Sequence, residues 1–238
     1  MALPIISAPQ YELQVPSTKE KLNYRPFLVK EEKILLLALE DGSAGALNLA
    51  LKQIVYNCTF EKTDVDAMPT FDLEFIFLRI RAKSVGELST ISLLAEDDGE
   101  TYVEVTIPLE DIKVTTPKNH TNTIKLTDKI GVILKYPTYK TLEDMENLPP
   151  ELTNVEQVFK MMGMCVDKIY DSETVHERVD FNEEELDSFL NSLSPQQYGE
   201  IQKFFDTMPK LQHQVQFTNP NTKKKNKVTL EGLQSFFA

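Results

Sequence analysis

Apolar positions change their spacing several times along the chain, and each change marks an element. After Pro26, the stretch Glu31–Glu40 places acids in a first turn ahead of the apolar run Ile34–Leu39 and stops at Asp41-Gly42, which predicts a helix. From Ser43 to about Cys58, Leu47, Leu51, Ile54 and Val55 recur at helical spacing and predict a second. A third is expected over Thr70–Ser84, with Thr70 as a cap after Pro69 and Arg79, Arg81 and Lys83 gathered at the far end, as a helix dipole favours. Its apolar residues run almost all the way round, so it should be the most buried helix of the first half, although Phe71–Ile80 also admits a strand.

The spacing then falls to two. Ile91–Leu94 and Val103–Ile107 flank a turn at Asp97-Asp98-Gly99, a hairpin signal, and Thr123–Leu126 and Gly131–Tyr136 read as further strands of a small antiparallel sheet. Helical spacing returns with three reciprocal caps: Thr153 with Glu156, Asn182 with Glu185, and Ser194 with Gln197 behind Pro195. Two of them add a hydrophobic staple, Phe181 with Leu186 and Leu193 with Tyr198. The first of these helices carries an apolar face from Val155 through Met162 to Val166 and Ile169. A second hairpin, Gln214–Phe217 against Lys227–Leu230 around Asn219-Pro220-Asn221-Thr222, precedes a short helix over Glu231–Phe237. The two hairpins echo one another, each running strand, polar turn, strand, apolar helical turn.

These elements predict an α+β protein in three parts. Residues 1–26, with Pro4, Pro9, Pro16 and Pro26, form an extended arm. Residues 27–140 form a helix-rich N-terminal lobe with an antiparallel hairpin or small sheet. Residues 141–238 form a helical C-terminal lobe closed by the second hairpin.

Charge and composition narrow what such a protein does. A net charge of −12 disfavours non-specific binding to nucleic acid or an anionic membrane and suits a basic partner. The apolar N-terminus is interrupted by Pro4 and Pro9 and has no basic segment, and the longest apolar run, Ile34–Leu39, is too short to span a bilayer; a protein neither secreted nor membrane-embedded is expected. Cys58 and Cys165 lie in apolar stretches far apart and read as buried hydrophobes in a reducing compartment.

Candidate chemistry is sparse. His120, His176 and His213 stand apart with no histidine or cysteine at ligand spacing, and the acidic run Asp171–Glu185 lacks both the glycine and the terminal glutamate of a calcium loop. No nucleophile elbow, phosphate-cradling loop or dinucleotide fingerprint occurs. No enzyme, metal or cofactor is expected. The lysines Lys223, Lys224, Lys225 and Lys227 read as guards of a strand edge ahead of nucleic-acid contacts.

The strings Tyr24-Arg25-Pro26-Phe27-Leu28-Val29-Lys30 through Leu36 and Asp72 through Glu87 resemble the baseplate hub assembly proteins of T4-type tailed bacteriophages. The likeness continues through Phe204–Leu211 and through Asn219-Pro220 to Leu233. The resemblance implies a non-enzymatic chaperone or scaffold that binds hub or central-spike proteins in the host cytoplasm. A permanent structural subunit of the virion baseplate is the alternative, and a nucleic-acid-binding module the less favoured one. Some members carry cysteine pairs in the two hairpin turns, where this chain has Ala95–Gly99 and Asn219–Thr222, so no metal is carried over. Tyr24, Arg25, Phe27, Phe236 and Phe237 are the candidate partner-binding residues.

Overall fold

The computed structural model describes residues 6–236. Within the first half, β1 (Tyr11–Gln14) and β2 (Lys21–Tyr24) pair as an antiparallel hairpin. Three helices follow: α1 (Val29–Asp41), α2 (Ala44–Cys58) and α3 (Thr70–Val85). Next come the hairpin β3 (Leu88–Leu94) and β4 (Tyr102–Pro108), a 3-10 turn at Leu109–Asp111, and β5 (Lys113–Thr115). A second compact unit occupies residues 116–209. It holds β6 (Thr123–Lys125), β7 (Gly131–Leu134), α4 (Tyr139–Glu146), α5 (Asn154–Met164), β8 (Val166–Tyr170), β9 (Val175–Glu177), α6 (Glu183–Asn191) and α7 (Pro195–Thr207). The chain then rejoins the first unit with β10 (Lys210–Thr218), β11 (Lys225–Glu231) and a 3-10 turn at Leu233–Phe236.

This arrangement corrects the expected layout while keeping the α+β class. Among the described residues, seven helices accompany four small antiparallel sheets, ordered β1-β2, β3-β4, β11-β10-β5 and β6-β7-β8-β9. The first half is therefore not mainly helical, and the later part is not a helical lobe closed by its own hairpin. The second hairpin belongs to the first unit, because β10 pairs with β5 on one side and β11 on the other. The later helices share their unit with a four-stranded sheet.

The misreading has local causes. Val166 and Ile169 continue the helical spacing of α5, but Cys165 caps that helix and Val166–Tyr170 pairs with both β7 and β9. Short strands in which polar and charged residues alternate with one or two apolar ones carry little signal until a neighbour pairs with them. The proline-bearing arm likewise contains β1 and β2, turned at Pro16–Lys19 with Lys19 at φ 63°.

α3 forms the centre of the first unit as its pattern predicts, burying Phe71, Leu73, Ile76, Phe77, Leu78, Ile80 and Ala82. Ile54, Val55 and Cys58 of α2 are fully buried in the same unit. Burial pushes the Cys58 thiol up to about 12, so it stays protonated and inert. In the second unit, Val132, Leu134, Met162, Val166, Leu186, Leu190, Ile201 and Phe204 form one buried cluster. The three reciprocal caps are present as expected at Thr153/Glu156, Asn182/Glu185 and Ser194/Gln197.

The echo between the hairpins has a structural counterpart. Each ends in a 3-10 turn, and the two hairpin turns are joined side chain to side chain. The Asp97 carboxylate accepts from the amide of Asn226 (2.7 Å), the amide of Asn219 (3.0 Å) and the Thr222 hydroxyl. Asp98 accepts from the Asn219 amide at 2.8 Å and the Thr101 hydroxyl at 2.6 Å. Those bonds hold both carboxyls below their ordinary range, with the Thr222 hydroxyl the largest influence on Asp97 and the Thr101 hydroxyl on Asp98. No helix among the described residues is long and apolar enough to cross a membrane.

Candidate protein-docking groove

The segment entering α1 is fixed by a buried carboxylate. Glu31 is fully buried and accepts from Arg25 at 3.0 and 3.3 Å and from the Leu28 backbone N–H at 2.9 Å. Burial alone would raise its pKa, but the Arg25 guanidinium and the Leu28 N–H outweigh burial and hold the carboxyl below its usual value. Arg25 also donates its backbone N–H to the Cys58 carbonyl, and Phe27 donates to the Ser84 hydroxyl, both at 2.9 Å. These bonds tie the start of α1 to the ends of α2 and α3. The arm before it is anchored where Ser17 gives its backbone N–H to the buried Asp72 at 3.0 Å, and its hydroxyl as well.

Held this way, α1 turns little of its apolar run inward. Only Glu31 and Ala38 are buried on it. Leu36, Leu37 and Leu39 remain 59%, 55% and 58% exposed, although a surface helix usually hides such a stripe. Between this helix and its neighbours lies a groove of about 460 Å³. α1 contributes Leu35, Leu36, Leu39 and Glu32, α2 contributes Leu47 and Leu51, and α3 contributes Phe77, Arg81 and Val85. Phe27 and Leu233 complete the apolar lining, with Gln234 at its edge. Mostly apolar, with a carboxylate, a guanidinium and an amide around it, the groove suits the apolar ridge of another polypeptide.

The expected partner-binding residues separate. Phe27 lines this groove. Tyr24 is buried on β2 beside Tyr11, with ring centroids 5.7 Å apart, and Arg25 is engaged by Glu31. Phe236 is fully buried and its carbonyl accepts from the Ser89 hydroxyl at 2.8 Å. Phe237 lies outside the described residues. The groove leucines were absent from the expectation, because an apolar run such as Ile34–Leu39 reads as core until the helix is seen with one side uncovered.

The hairpin turns supply few donors for a metal ion. Their carboxylates are Glu96, Asp97 and Asp98, and the two aspartates already accept several N–H and O–H bonds. Among the described residues, no group of three histidine, cysteine, aspartate or glutamate side chains is placed to hold a metal ion. The turns do not fit a zinc ribbon, and amide–carboxylate bonds join them instead.

Fold and groove together define an acidic α+β protein with an uncovered apolar helix face. Sequence comparison supplies the family: the family model described as T4 bacteriophage base plate protein matches residues 8–238, and the chain belongs to that family. No curated protein and no solved structure matches the chain.

Proposed function

We propose that this protein is a non-enzymatic assembly factor of the phage baseplate hub, and that it acts by holding an apolar helical surface of another baseplate protein in the groove beside α1. The observation that carries the reading is the run of exposed leucines on α1 in a member of a baseplate family. A partner helix seated in the groove and covering Leu36 and Leu39 would gain roughly 1 kcal/mol for each half-exposed leucine removed from water. The client is a hub or central-spike protein met in the host cytoplasm.

Charge adds direction to the encounter. Residues 116–209 hold nine Lys and Arg against seventeen Asp and Glu, a net of −8 out of the chain's −12. A basic client is drawn to that unit, and salt weakens the approach.

Co-expression with each hub and spike protein, followed by size-exclusion chromatography with light scattering, tests the reading. A defined complex with one of them supports it, and failure to associate with every one at low salt contradicts it. Mass spectrometry of finished particles separates the two lifetimes: absence from the particle is the assembly-factor result, and stoichiometric presence makes the chain a structural subunit.

A further inference from the structure

The hairpin β3–β4 stands as a sheet of two strands. Its register pairs Leu93 with Val103, Ile91 with Val105 and Ser89 with Ile107. The same register continues into the bonds Ala95 N–H to Thr101 carbonyl and Leu109 N–H to Glu87 carbonyl, each 2.8 Å. Odd-numbered residues of β4 therefore exchange hydrogen bonds with β3, and the backbone N–H and carbonyl groups of Tyr102, Glu104 and Thr106 point away from it. Among the described residues, none of those three N–H groups has a protein acceptor.

Other features leave this edge open to a neighbour. Tyr102, Glu104 and Thr106 are all exposed, Tyr102 at 67%. On the opposite face Val103 and Val105 are only half-buried, so the inner side of β4 is incompletely covered. Natural edges are blunted by lysines, prolines or bulges. β11 follows that rule with Lys225 and Lys227 in the strand and Lys223 and Lys224 just before it. β4 has no lysine, pairs with β3 in unbroken register, and meets proline only at its last residue, Pro108.

The geometry points to β4 as a second docking surface, at which an extended segment of a different polypeptide adds as a third strand, with a lysine or arginine opposite Glu104. Charge selects this occupant over a second copy of the chain. Antiparallel pairing of β4 with itself about Glu104 sets two carboxylates face to face. Moving the register by one bonded pair brings into the ladder either Pro108, which lacks an N–H, or, in the other direction, Glu100, whose N–H is already given to the Asp98 carboxylate at 3.1 Å. Two chains at −12 also repel. A cation on the incoming strand removes the like-charge conflict, and its inward side chains cover Val103 and Val105. This surface is distinct from the α1 groove and holds whether or not that groove has a client.

The probe is a capped peptide of alternating threonine and valine with lysine at its centre, titrated into the isotopically labelled full chain. Shifts and slowed hydrogen exchange at the Tyr102, Glu104 and Thr106 amides are expected. N-methylation of the peptide nitrogens that donate to β4 should abolish them. Glu104→Lys should reverse the preference toward a glutamate-centred peptide, by up to about fivefold, the scale of one cross-strand charge pair. The proposal is overturned by unchanged amides at millimolar peptide, by binding indifferent to N-methylation, or by concentration-dependent pairing of the chain with itself through β4.

Discussion

At Glu74, on α3, a half-buried carboxylate has one long hydrogen bond, from the Leu233 N–H at 3.5 Å. Burial pushes its pKa up to about 7 from an ordinary 4.5. A group bound more tightly to its proton in the folded state stabilises the fold below the unfolded pKa and loses that contribution as pH rises through the folded one. Stability should therefore decline between pH 4.5 and about 7 on account of this residue. Glu74→Gln should remove that slope and raise stability at pH 8 by on the order of 2 kcal/mol, since each pKa unit is worth about 1.4 kcal/mol. Urea melts of both proteins at pH 5 and pH 8 check it; a glutamine variant less stable at pH 8 would refute the assignment. Asp97 and Asp98 act in the opposite sense. Their pKa values are depressed, so their contribution is present above 3.8 and is lost as pH falls toward the folded values. Asn219, fully buried, donates to both of them. Asn219→Ala should cost about 1 kcal/mol in a thermal or urea melt, the net scale of a hydrogen bond whose acceptors water can reach. This pairing of the turns is not legible in the sequence, since nothing in Asn219-Pro220-Asn221-Thr222 names a partner more than a hundred residues away.

Among the elements, legibility followed the range of the forces. Helix starts fixed by a side chain three residues away were readable, and Ser194, which accepts from the Gln197 N–H at 3.3 Å, is one. Ser194→Ala should lower stability by about 1 kcal/mol, measured by denaturant midpoint. α3 was readable because its apolar residues encircle it. Strands that exist by pairing were not: β8 looks like the tail of α5, and β9, with all three residues exposed, has no core-facing pattern. Gly131 shows what fixes that sheet. A Cβ there would lie 2.2 Å from the Tyr170 hydroxyl and 2.6 Å from the Ile124 carbonyl. Gly131→Ala should force β6, β7 and β8 apart and cost about 3 kcal/mol, the upper end for overpacking. A variant with an unchanged melting midpoint would show that Tyr170 swings clear at no cost.

On the scale of the whole molecule, the chain leaves its first unit at Thr115 and returns at Lys210, where β10 pairs Leu211 with Val114. That return explains why the C-terminal hairpin could not be placed from sequence: its position depends on a three-residue strand ninety-five residues earlier in the chain. The family was legible in long strings of residues, and the matching family model bears out baseplate membership. Of the candidate binding residues, Phe27 lines the groove, while the leucines that dominate it were read only as the apolar run of a helix. An apolar helix face left open costs solubility, and its presence on a protein at −12 is most simply explained by a surface that is covered in use. The direct test is to compare the wild-type chain with Leu36→Glu/Leu39→Glu in co-purification with hub and spike proteins. Both leucines are more than half exposed, so the variant should fold with an unchanged melting midpoint. The account predicts a complex for the wild type and affinity lower by roughly a hundredfold for the variant, the equivalent of about 3 kcal/mol. A complex that forms equally well with both chains would contradict it.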